Sequence, residues 1–156
     1  MEIERKFLVR NQDFKQTATR AIPIQQAYLA SSEYNTVRIR IAADQAYLTI
    51  KGRSLDGGLS REEFEYPVPV DDARRILKLA RPGRIEKTRY IVPFGGFTWE
   101  VDCFGGALDG LIIAEVELQN PQQSPELPPW IGREVTGDRR YYNSALSVAT
   151  ALPPTQ

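Results

Sequence analysis

The feature that most constrains this chain is an alternation that recurs on run after run: charged side chains at every second position of short β-rich segments, with apolar side chains between them. The opening run MEIERKFLV shows it first. Successive side chains of a strand point to opposite faces, so Glu2, Glu4 and Lys6 share one face and Ile3, Arg5 and Phe7 the other. TVRIRIA places Arg38 and Arg40 against Val37, Ile39 and Ile41, and AYLTIKG places Lys51 opposite Leu48 and Ile50. REEFEY sets Arg61, Glu63 and Glu65 against Phe64 and Tyr66, and EKTRY pairs Lys87 with Arg89. WEVDCF pairs Glu100 with Asp102 against Trp99, Val101 and Cys103, while AEVEL pairs Glu115 with Glu117 against Val116 and Leu118. A period of two is a strand period, so the chain reads as mainly β.

One such strand alone describes an ordinary sheet with one face in water. The set of them does not. A solvated face mixes Ser, Thr, Gln and Lys, whereas this face is written as ionised pairs at i and i+2, mostly of one sign per strand. Like charges so close repel, and two ligands together would offset that repulsion. Divalent cations suit the eight carboxylates Glu2, Glu4, Glu63, Glu65, Glu100, Asp102, Glu115 and Glu117. A highly charged anion suits Lys6, Arg38, Arg40, Lys51, Lys87 and Arg89. Metal-bound polyphosphate meets both demands.

About eight strands closing into a barrel put the charged face inside. The expected fold is therefore mainly β (α+β): a closed eight-stranded antiparallel barrel with a charged lumen and helices packed outside. Besides the opening run, strands are expected over 22–30, 36–42, 46–52, 59–70, 84–94, 97–104 and 111–120. A helix is expected over 71–80, with acids at its start and a stop at RPG, and a second over about 138–150 with Asp138 as N-cap. Between them PQQSPELPPWIG is a proline-rich connection anchored by Trp130 and Ile131. Residues 1–150 are expected to form one domain and 151–156 a loose tail.

Composition narrows the chemistry. The 156 residues contain no histidine and one cysteine, Cys103, which excludes an internal disulfide, a Cys–His dyad, a Ser-His-Asp triad and a zinc site. Hydrolysis would have to use a metal-activated water or a carboxylate or lysine base. Twenty basic residues balance twenty acidic ones, which argues against a nucleic-acid footprint. No apolar run is long enough for a membrane helix and nothing at the start reads as a signal peptide, so a cytoplasmic location is expected without membrane contact. A small-molecule partner is expected, and whether the chain forms a homodimer is not legible.

EIERK resembles the Glu-x-Glu-x-Lys signature of the CYTH superfamily, the triphosphate tunnel metalloenzymes. QAYL, VRIR, LTIKG, REEFEY, EKTRY, WEVDCF, AEVEL and EVTGDRRYYN follow in the family's order, so the chain is similar to its small bacterial members over nearly its whole length. The resemblance implies a tunnel that binds a triphosphate through basic residues and Mg²⁺ or Mn²⁺ through carboxylates. It implies a phosphate clamp of Lys6, Arg38, Arg40, Lys51, Lys87 and Arg89, joined by Arg61 and, from the region that lines or plugs one mouth, Arg133, Arg139 and Arg140. The eight carboxylates become the metal side. Glu2, Glu4, Lys6 and Tyr28 make up the catalytic set, with Tyr28 open between a core aromatic and a hydroxyl donor beside the phosphate. The leading expectation is metal-dependent hydrolysis of inorganic triphosphate to pyrophosphate and phosphate, because so short a chain has little with which to hold an organic group. The alternatives are an adenylyl cyclase, a thiamine or nucleoside triphosphatase, or a polyphosphate or nucleotide sensor without turnover.

Overall fold

The computed structural model describes residues 1–80 and 83–155. Arg81 and Pro82, the expected helix stop, and Gln156, the end of the expected tail, lie outside the described residues. The strands are β1 (Glu2–Val9), β2 (Arg20–Ser31), β3 (Asn35–Ala42), β4 (Gln45–Gly52), β5 (Ser60–Arg61), β6 (Glu63–Val68), β7 (Arg84–Phe94), β8 (Phe97–Phe104), β9 (Ile112–Glu117) and β10 (Ile131–Glu134). Among the described residues two short helices, α1 (Val70–Leu79) and α2 (Asn143–Leu146), complete the regular structure with four 3₁₀ turns.

Antiparallel pairing runs β1-β9-β8-β7-β2-β3-β4-β6. The ring then closes because β5, one residue ahead of β6, returns to β1 through Glu2–Arg61 and Ile3–Ser60. The expected eight-stranded barrel is thus present, with a seam only two residue pairs long. β10 takes the remaining length of that edge of β1, at Phe7 and Val9. The sequence reading missed β10: its first two residues, Ile131 and Gly132, closed the proline-rich connection, and Arg133 and Glu134 were given no strand.

The alternation decides which face turns inward. Around the ring, Glu4 opposes Glu117, Lys6 opposes Glu115, Glu100 opposes Glu115 and Arg89 opposes Asp102. Gln26 opposes Arg40, Tyr28 opposes Arg38, and Lys51 opposes Glu63. The charged positions of neighbouring strands therefore fall side by side. Further along, the same face changes character: Leu8, Ile85, Phe104 and Ile113, which continue the Lys6, Lys87, Asp102 and Glu115 rows, pack with Val135, Tyr141 and Leu146. One end of the lumen is stoppered by apolar side chains.

The outward apolar residues need cover, and two pieces supply it. α1 lays Ala73 and Leu77, one turn apart, on Ala27, Ile39 and Ala46, with Asp71 and Asp72 in its first turn and Lys78 in its last complementing the helix dipole. On the opposite wall Phe14, from a 3₁₀ turn at Asp13–Gln16, and Trp130 form an edge-to-face series with Trp99, which in turn meets Phe7. The expected helix over 138–150 is a correction. Asp138 does accept from the Arg140 amide, but it caps only a 3₁₀ turn, Arg139–Tyr141, and α2 spans four residues. This segment stoppers the lumen instead of covering the outer wall. Its polar rim, Tyr142–Ser144, faces the cavity, so a long amphipathic helix has no face to lie on. No helix of the described residues is long and apolar enough to cross a membrane.

Candidate active site

The lumen encloses a cavity of about 240 Å³ lined almost wholly by polar groups. Of the residues singled out from the sequence, Glu2, Glu4, Lys6, Tyr28, Arg38, Arg40, Lys51, Arg61, Glu63, Glu65, Arg89, Glu100, Glu115 and Glu117 line it. Tyr28, which the sequence left between core and lumen, stands in the lumen. Lys87 and Asp102 lie behind the lining, and Arg133, Arg139 and Arg140 stand outside it. Arg140 pairs with Asp138 at 2.7 Å on the surface, and Arg133 Nη2 donates to the Tyr141 hydroxyl at 3.3 Å.

The acidic sector centres on β1. Lys51 Nζ lies 2.8 Å from Glu2 Oε1 and 3.5 Å from Glu63 Oε2. Burial works against the Glu2 carboxylate, but Lys51 outweighs it and holds its pKa below the ordinary value. Glu63 goes the other way, raised by burial and by the charge of Glu2. Glu4 has no ion pair among the described residues; burial, then Glu115 and Glu2, hold its carboxyl well above the ordinary range. Burial also raises Glu100, against the pull of Arg89. Three lumen acids are thus held above the ordinary carboxyl value, with burial as the first cause in each.

The basic sector is more varied. Arg89 donates through Nε and Nη2 to both Asp102 oxygens at 2.8 and 2.9 Å and reaches Glu100 at 3.3 Å. Lys87 Nζ lies 2.7 Å from Asp102 Oδ2 and donates to Asn143 Oδ1 at 3.2 Å. Buried and close to Arg89 and Arg40, its amine is pushed down to about 7. Burial opposes the Asp102 charge, yet Arg89 and Lys87 hold its pKa well below the ordinary range. Asp102 therefore acts as the shared counter-ion of two buried cations. Arg38 donates to Thr49 at 3.2 Å and lies 3.8 Å from Glu65, while its Nε finds no acceptor among the described residues. Arg40 has no carboxylate within ion-pair distance among them; its Nε donates to Gln26 Oε1 at 2.7 Å, and burial with Arg38 and Arg89 nearby lowers its pKa to about 9.

Several lining residues were not singled out from the sequence. Thr36 and Thr49 share the parity of Arg38 and Lys51, so the alternation alone would have found them. Tyr142 had no such signal: its ring lies 5.7 Å from Lys6 Nζ and 5.9 Å from the Arg61 guanidinium, and its hydroxyl meets Ser54 at 3.2 Å.

A closed antiparallel barrel whose single lumen, stoppered at one end, is lined by both carboxylates and guanidiniums offers sites for an anion together with cations. The chain belongs to the CYTH family, whose domain matches residues 1–151. It is 47% identical over 146 residues to an inorganic triphosphatase of Acetivibrio thermocellus, covering 93% of this chain and 92% of that one. It is 37% identical over 152 residues to an inorganic triphosphatase of Nitrosomonas europaea, covering 95% and 97%. The crystal structure of the inorganic triphosphatase NE1496 superimposes with a TM-score of 0.71 at 32% identity, covering 97% of each chain.

The family implies use of a divalent metal, and the donor chemistry here fits one. The acidic sector offers only carboxylate oxygens, the ligands of a hard divalent ion. Burial, with neighbouring carboxylates, raises the pKa of Glu4 and of Glu63, and a bound cation would favour their ionised forms. Among the described residues no three acidic side chains converge as a ready ligand set, and an ion held by one or two carboxylates, completed by waters and phosphate oxygens, needs none.

Proposed function

We propose that this chain is a divalent-metal-dependent inorganic triphosphatase that splits tripolyphosphate into pyrophosphate and phosphate within the barrel. The observation that carries the reading is Arg40: a half-buried guanidinium on the lumen wall with no carboxylate partner among the described residues and with Arg38 and Arg89 nearby. A charge withdrawn from water and left unpaired is costly, and a polyphosphate is the anion whose closely spaced charges would match three guanidiniums, two on β3 and one on β7, with β2 between. Identity of 47% and 37% to inorganic triphosphatases supports the substrate.

Arg38, Arg40 and Arg89 bind and orient the phosphates, while Lys6 and Lys51 neutralise charge toward the acidic sector. Lys51, held above its ordinary pKa by Glu4 and Glu2 despite burial, stays an ammonium. Tyr28 presents a hydroxyl to the same space. Glu2, Glu4, Glu63, Glu65 and Glu117 would hold Mg²⁺ or Mn²⁺, which when bound supplies charge neutralisation at the phosphate oxygens and lowers the pKa of a bound water.

The test is phosphate release with Mg²⁺ or Mn²⁺ from tripolyphosphate, pyrophosphate, ATP and thiamine triphosphate, with cyclic AMP assayed in parallel. Metal-dependent release from tripolyphosphate well above the other substrates is expected. Binding without release would make the chain a sensor, and cyclic AMP from ATP would make it a cyclase.

A further inference from the structure

Gln26 is fully buried on β2 and faces the lumen, since it stands directly across from Arg40 on β3. It does not line the cavity itself. Its side-chain oxygen accepts from Arg40 Nε at 2.7 Å. The orientation of the amide is forced, because a guanidinium has only donors and must meet the oxygen. The price is a buried amide nitrogen with no acceptor among the described residues, a defect that an apolar side chain would not carry.

Two of the other three lumen guanidiniums show what a charged partner does; the third, Arg61, donates to the Gly52 carbonyl oxygen at 3.0 Å. Arg89 is held by Asp102 through two hydrogen bonds and lies close to Glu100, and Arg38 lies within ion-pair distance of Glu65. Each shares its charge with a carboxylate. Arg40 is fixed by a neutral dipole, which aims the guanidinium and leaves its charge free.

We infer that Gln26 is a positioning residue for anion binding: its neutral amide holds the Arg40 fork toward the lumen while leaving the full positive charge available to a phosphate chain. The inference rests on the triphosphate reading and goes beyond it. It explains why a fully buried position in a barrel wall carries a half-satisfied amide. It also says that a carboxylate, nearly the same size, is the damaging substitution there.

The experiment is a double-mutant cycle read by calorimetry with tripolyphosphate in metal-free buffer, where the metal-dependent reaction does not consume the ligand. Gln26→Glu should weaken tripolyphosphate binding by about tenfold or more while the melting temperature without ligand holds or rises, because the new carboxylate pairs with Arg40. In the Arg40→Leu background the same substitution should change affinity by less than about twofold. Gln26→Met, which keeps the volume and removes the acceptor without adding charge, should cost several-fold, less than Gln26→Glu, and it carries the test if Gln26→Glu fails to fold. Turnover should show the loss in KM, with kcat at saturation little changed. Equal losses in both backgrounds, or wild-type affinity in Gln26→Glu, would overturn the inference while leaving the triphosphatase reading intact. Failure of the wild-type chain to bind tripolyphosphate would overturn both.

Discussion

Asp102→Asn separates a structural counter-ion from a metal ligand, the role the sequence pattern suggested for this residue. Asp102 is 1% exposed and binds Arg89 at 2.8 and 2.9 Å and Lys87 at 2.7 Å. Asparagine keeps the shape and removes the only full charge between two buried cations. Taking one partner from a buried ion pair costs about 3–5 kcal/mol. In a domain of this size each kcal/mol moves Tm by about 2–4 °C, so a fall of about 6–20 °C is expected. Lys87 moderates the loss, because its amine is already held down to about 7 and sheds its proton near neutral pH. Thermal melts at pH 7–8 without metal or phosphate measure the effect, and a calorimetric Mg²⁺ titration accompanies them. A metal ligand predicts the opposite pattern: removing it relieves repulsion in the empty lumen and abolishes Mg²⁺ binding. Stability within about 0.5 kcal/mol of wild type, together with lost metal affinity, would refute the counter-ion assignment.

Glu4 should show the reverse sign. Its carboxyl is raised above 4.5 by burial, then by Glu115 and Glu2, so the folded state is favoured below about that pH and loses stability as pH rises through the raised value. Glu4→Gln removes that loss; without metal it should melt higher than wild type at pH 8, with the gap closing toward pH 4.5 and Mg²⁺ affinity falling. An unchanged melting curve at pH 8 would contradict this. Mg²⁺ and tripolyphosphate each relieve repulsion the other meets, so a ligand at ~100 times its Kd, contributing about 2.7 kcal/mol or ~5–11 °C, should shift Tm more in company than alone. Additive shifts erased by salt would indicate surface binding. Gly137, at φ +79, packs so closely on the 57–58 loop that an added Cβ would meet the Gly57 carbonyl oxygen; Gly137→Ala should cost about 1–3 kcal/mol in urea unfolding, and a neutral result would show that this contact gives way freely.

The alternation by itself determined the barrel. A side-chain period of two on strand after strand, with charge on one face and bulk on the other, has one economical closure, and the lumen residues from Glu2 to Glu117 were legible in it because strand parity is a local property. Helix α1 was legible for the same reason, from its acids, its apolar spacing and its basic last turn. Pairing across the lumen was not. Nothing local distinguishes Asp102 from Glu100, yet the register of β7 against β8 sets Asp102 between Arg89 and Lys87 while Glu100 lines the cavity. The two-pair seam at Ser60–Arg61, the strand at Ile131–Glu134 and the turn of Tyr142 into the cavity also depend on contacts more than fifty residues apart in the chain. Gln26 shows the division most sharply. Its sequence context marks an ordinary polar residue on a strand; only the packed barrel makes it the neutral partner that leaves Arg40 its charge, because which cation is neutralised is fixed by which side chains the closed ring brings within hydrogen-bonding reach.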